Sequence, residues 1–103
     1  MISTGNDTNH VNLTGNLMCD VTWKTNEDGD VTVGFFALGT ARCEKGEFVT
    51  DRHSIVVKGP AINKFPDIHK GSRVSIQGVL AYVKKPNSKY PEAEIRLETI
   101  KAL

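Results

Sequence analysis

The chain has 103 residues, of which 39% are hydrophobic and 24% charged, and its net charge is +1. That length suits one domain with a modest core, and the balanced charge excludes a histone-like polycation and a highly charged disordered chain. Its apolar runs are too short for a membrane-spanning helix, and the opening MISTGNDTN lacks the basic-then-apolar order of a secretory signal.

Apolar residues recur with period two rather than 3.6, which predicts strands. Residues 1–8 are polar and predict a disordered extension, leaving residues 9–103 as the folded domain. Val11, Leu13 and Leu17 then alternate with Asn12, Thr14 and Asn16, and Gly15 inside this first strand marks a bulge or sharp bend. Trp23 ends the outer part of this strand, either as a stacking platform or as a core anchor. The run NEDGD at 26–30 is a turn. Residues 31–42 form a second strand, with Val33, Phe35 and Ala37 on one face and Phe36 on the other. A turn at 44–46 leads to a third strand over 48–58, ending in Ile55-Val56-Val57. Gly59-Pro60 punctuates the chain. The three-residue recurrence of Ile62, Phe65 and Ile68 predicts a short helical turn, with Phe65 plugging the core and Pro66 preventing a long helix. Residues 73–85 form a fourth strand, with Val74, Ile76, Leu80 and Tyr82 on its core face and Gly78 at its middle. A loop at 86–89 leads to a fifth strand over 90–103, where Ala93, Ile95 and Leu97 alternate with Glu94, Arg96 and Glu98. The order β-β-β-α-β-β predicts an all-β OB-fold, a five-stranded Greek-key barrel with one short helix between its third and fourth strands. An SH3-like barrel or a small sandwich shares the composition but not the helix placement.

Charge is uneven along the chain. Residues 1–51 hold three cations and eight acids, whereas residues 52–103 hold ten cations and four acids. A basic half points to a polyanion partner. On the third strand Arg52, Ser54, Val56 and Lys58 share one face, while His53, Ile55 and Val57 suit the core. Lys84, Lys85 and Lys89 surround the loop between the fourth and fifth strands, a usual ligand contact in OB-folds, and Tyr90 stands at its exit. His10, His53 and His69 have no metal-ligand spacing with one another or with Cys19 and Cys43, and His53 reads as structural. Neither a catalytic constellation nor a phosphate loop is visible, so the expectation is a non-enzyme without cofactor or metal. Two cysteines without a CxxC suit a reduced, cytoplasmic setting.

Three blocks carry a family resemblance: NHVNLTGNL at 9–17, HSIVVKG at 53–59 and KGSRVSIQG at 70–78. In order and spacing they resemble the bacterial single-stranded DNA-binding protein family and its relative primosomal replication protein N. The resemblance implies an OB-fold that binds single-stranded DNA as a homodimer or homotetramer, nucleoid-associated, in replication, recombination or repair. It also implies base-stacking aromatics, but the matching positions here hold Arg52, Lys58, Lys85 and a residue near Glu44. Basic family positions fall on Lys70, Lys84 and Lys45. The resulting DNA-binding set is Arg52, Lys58, Lys70, Arg73, Lys84, Lys85, Lys89, Trp23, Tyr90 and Lys45. The family's acidic tail, which recruits other replication proteins, has no match in this sequence, aromatics are few and the net charge is near zero, so two alternatives stay open. One is a primosome-type accessory that bridges replication proteins; the other is an OB-fold adaptor without DNA binding.

Overall fold

A computed structural model of the chain describes residues 7–103. Most of the expected N-terminal extension lies outside the described residues. The elements are β1 (Val11–Leu17), β2 (Thr22–Thr25), β3 (Val31–Glu44), β4 (Glu47–Lys58), α1 (Pro60–Asn63), β5 (Arg73–Val83) and β6 (Glu92–Ala102). They form one sheet in the order β1-β5-β6-β4-β3-β2, and a further β1–β3 pairing at Asn16↔Gly39 and Leu17↔Leu38 closes five of the strands into a barrel. This is the expected OB-fold, with α1 between the third and fourth barrel strands. The sixth strand, β2, continues β1 after a break at 18–21 and pairs along the first half of β3.

Closure depends on the backbone of β1 lying almost against that of β3. A Cβ at Gly15 would collide with the carbonyl oxygen of Gly39, so only glycine lets the strand cross there. Beyond that point Leu17 N–H donates to Ser72 O at 2.9 Å and Met18 N–H donates to Ala37 O at 2.8 Å, tying the end of β1 to both flanks.

Alternating inward positions fill the barrel with Leu17, Phe36, Leu38, Ile55, Val57, Val74, Ile76, Ile95 and Leu97, joined by Ile68 from the segment after α1. Each such side chain contributes roughly 1.5–3 kcal/mol on burial. One end of the barrel is sealed by rings. Trp23 meets Phe65 edge to face with centroids 5.1 Å apart, and Phe65 meets Phe36 at 5.9 Å. Trp23 lies so close over Gly34 that a Cβ there would sit 2.5 Å from its ring. Phe65 is thus the expected plug. His53 has a structural partner, with Thr40 Oγ1 2.8 Å from its Nε2.

The core face expected for the fourth strand needs correction. Val74 and Ile76 are fully buried, but Leu80 is 36% exposed and Tyr82 68% exposed. Two features explain this. The β5–β6 register shifts between Gln77 and Gly78, leaving Glu98 without a partner. The β5–β6 hairpin also runs past the short parallel pairing of β4 with β6, which spans only Ile55↔Ile95 and Val56↔Arg96: Leu80, opposite Ile95, stands at the end of that pairing and faces Arg52 and Ser54 across a small cleft, and Tyr82, opposite Ala93, lies beyond it. The β3–β4 hairpin likewise projects. Its turn is the two residues Lys45 and Gly46, with φ of 51° and 82°, as a type I′ turn requires.

Candidate nucleic-acid interface

The outward faces of β2, β3, β4 and β6 present cross-strand rows. At one end Lys24 on β2 stands opposite Val33 on β3, which stands opposite Lys58 on β4. The next row runs from Thr22 through Phe35 and Val56 to Arg96 on β6. The following row pairs Ala37 with Ser54, and the one after it pairs Gly39 with Arg52. Ala37 and Val56 point outward yet are 2% and 4% exposed, so they make an apolar floor beneath more exposed neighbours. Phe35 rises from that floor, 36% exposed, with Lys24 Nζ 5.3 Å from the centre of its ring.

A cleft of about 380 Å³ includes Phe35, Ala37, Val56, Ser54, Arg52 and Lys85 in its lining. Arg52 and Lys85 therefore meet across it, although they come from different halves of the barrel. Arg52 and Ser54 also line a smaller cleft against Leu80 and Ala93 of the β5–β6 hairpin, and Lys85 continues into the loop that holds Lys89. Together these surfaces form one band from Lys58 to the β5–β6 loop.

The cations on and beside this band differ in how free they are. Arg42 on β3 is committed to its own hairpin, with Nε 2.7 Å from Asp51 and Nη1 2.8 Å from Glu44. Those bonds, Asp51 first, raise its pKa above the ordinary arginine value. Lys85 makes a looser pair with Glu92 and Arg96 one with Glu94, both at 3.4 Å. Exposed pairs of that length are worth about 0–1 kcal/mol, so a phosphate can compete with them.

Among the residues expected from the sequence, the structure gathers Arg52, Lys58 and Lys85 on this band, with Lys84 and Lys89 beside it. Tyr90 is 69% exposed in the same loop, with Lys89 Nζ 5.6 Å from its ring centre. The others lie elsewhere. Trp23 faces inward against Phe65. Lys70 is at the junction before β5, its backbone N–H held by Asp20 at 2.7 Å. Arg73 lies on the β1–β5 side, donating to Asn16 Oδ1 at 2.9 Å. Lys45 occupies the tip of the β3–β4 hairpin, about 26 Å along the strand from Ala37 at the usual rise. Among the described residues no group of three His, Cys, Asp or Glu is placed to hold a metal ion.

Sequence reasoning missed Phe35, Lys24, Arg96 and the exposed Tyr82. It also missed Phe48, which is 86% exposed and stands opposite Cys43 toward the hairpin tip. A signal for Phe35 was present. Phe36 shares strand parity with the bulky Leu38, whereas Phe35 shares it with the small Ala37, so the outward ring is Phe35.

No family model matches the chain, and no curated protein matches it. Among solved structures it is similar to the SSB of Plasmodium falciparum in complex with ssDNA. The superposition has a TM-score of 0.81 and 27% sequence identity, and it covers 98% of this chain and 99% of that chain.

Proposed function

We propose that this protein binds single-stranded DNA on the outer face of β3 and β4, without catalysis. The observation that carries the reading is the outward ring of Phe35, set among Lys24, Lys58, Arg96 and Arg52 in a fold similar to an SSB in complex with ssDNA. A base stacked on an aromatic ring is worth about 1–3 kcal/mol, against about 0.5–1 kcal/mol for an exposed cation–π contact. A base therefore displaces Lys24 from the ring and frees its ammonium for a phosphate. Lys58 and Arg52, six residues apart on β4, lie about 20 Å from each other at the usual rise, which suits an extended strand. Arg52 also offers a flat guanidinium that can stack. Base-edge donors play little part, so binding is tolerant of sequence. The setting that fits is cytoplasmic and nucleoid-associated, in replication, recombination or repair.

The test is a salt series with one sequence as single-stranded DNA, duplex DNA and RNA. With three or four phosphates neutralised, log affinity for single-stranded DNA should fall by roughly 2–3 per decade of salt. Equal or tighter binding to the duplex would overturn the reading. A flat series with binding retained would mean that stacking, not charge, dominates.

The protein is also proposed to assemble as a homodimer or homotetramer. β3 pairs with β1 at Asn16 and Leu17, and among the described residues no other strand pairs with that edge of β1 from Val11 to Gly15. An open edge is a template for pairing with a second copy. Light scattering should give at least twice the 11.3 kDa subunit mass. A single-subunit mass across micromolar concentrations would exclude pairing through this edge.

A further inference from the structure

On the opposite side of β2 from Phe35 lies a second surface that the DNA-binding proposal does not use. It is a groove of about 420 Å³ between β2 and the segment after α1, walled by Val21, Trp23, Val31, Ile62, Phe65 and Ile68. Trp23 and Val31 remain 38% and 41% exposed there. β2 itself is the last strand of the sheet, and all four of its residues are exposed. Among the described residues no backbone hydrogen bond reaches Thr22–Thr25 from the side away from β3. Acids rim the groove. Asp67 lines it, its carboxylate 3.5 Å from the His69 ring, and Glu27, Asp28 and Asp30 occupy the turn that leads into Val31, against Lys64 on the facing segment, so acids outnumber cations there. Lys24, the cation of β2, points the other way, over Phe35.

We propose that this groove docks an extended peptide segment of a partner protein, one that carries apolar side chains flanked by Lys or Arg. The segment adds as a strand to the open edge of β2. Alternate apolar side chains then enter the groove over the touching rings of Trp23 and Phe65, and the basic ones meet Asp67 and the turn acids. An open edge supplies main-chain hydrogen bonds, while pockets for alternate side chains supply specificity. The charge of the rim selects a basic segment over an acidic one. Because Phe35 lies on the other face of the sheet, the docked segment leaves the proposed DNA surface uncovered.

The test uses the full chain and a synthetic probe, the peptide Lys-Val-Lys-Leu-Lys-Val-Lys. Trp23 is the only tryptophan of the chain and lies in the groove, so its emission reports occupancy directly. The peptide should shift that emission saturably and perturb the amide resonances of Thr22–Thr25. The double variant D30K/D67K, exposed at both positions and therefore expected to fold, should bind about tenfold more weakly. A probe with Glu in place of Lys, and one N-methylated on alternate backbone amides, should not bind. Three results would each overturn the proposal: no emission shift at millimolar probe, equal binding by D30K/D67K, or equal binding of the N-methylated probe. Concentration-dependent self-association lost in V31K would assign the groove to a second copy and overturn it too. None of these readouts involves DNA, so the outcome is independent of the DNA-binding proposal.

Discussion

Replacing Phe35 by alanine should weaken binding to a single-stranded oligonucleotide by roughly five- to a hundredfold, the worth of one base stack. The ring is 36% exposed and so about two-thirds buried; its loss should lower the melting temperature by several degrees without unfolding the chain, and affinity is read on the folded variant. F35W should bind at least as tightly as the parent, because a larger ring stacks better and the outward position has room for it. Salt dependence separates the two kinds of residue. F35A should keep the parent's slope, whereas R52A and K58A should each flatten it by about 0.7. R52A should cost more than K58A, since it also removes a flat cation. K101A, at the end of β6, serves as the control and should bind like the parent. If F35A binds normally while Y90A or W23A loses binding, the nucleic acid follows another path over the barrel.

Gly15→Ala should be the most damaging small substitution for the fold. The added methyl has no flexible side chain to push aside; it meets the backbone carbonyl of Gly39. Overpacking in a rigid site typically costs about 1–3 kcal/mol, and a backbone clash at the barrel seam belongs at or above the top of that range. A domain of this size has a total stability of about 5–15 kcal/mol. The melting temperature should therefore drop by more than about 12 °C, at roughly 4–8 °C per kcal/mol for a chain of this length. Thr14→Ala, the neighbouring position on the exposed face of β1, should change stability by no more than about 0.5 kcal/mol. Thermal melting followed by circular dichroism measures both. If G15A melts within about 2 °C of the parent, the β1–β3 seam gives way to a methyl group and does not require glycine.

Much of this protein was legible in its local chemistry. Period-two alternation marks the strands, glycine-bearing turns separate them, and one helical turn stands before β5 as expected, although it spans Pro60–Asn63 and of the Ile62, Phe65 and Ile68 recurrence holds only Ile62. Along a single strand, parity alone sets Arg52 and Lys58 on one face and Ile55 and Val57 in the core, as observed. What local pattern does not contain is which strands lie side by side and where one outruns another. Arg96 joins Phe35 only through the β4–β6 pairing, between residues far apart in the chain, and Lys24 joins it through the register of the β2–β3 hairpin, which shifts between Lys24 and Thr25. Tyr82 has the parity of a core residue and is nonetheless exposed, because the shift opposite Glu98 and the overhang of the β5–β6 hairpin carry it past the barrel's edge. Trp23, equally suited by sequence to stacking or packing, is decided by Gly34, the side-chain-free position on β3 that lets its ring lie down against Phe65. Side-chain alternation is a property of one strand and so is written in the sequence. Register and overhang are properties of strand pairs, set by where the whole barrel closes, and only the tertiary structure decided them.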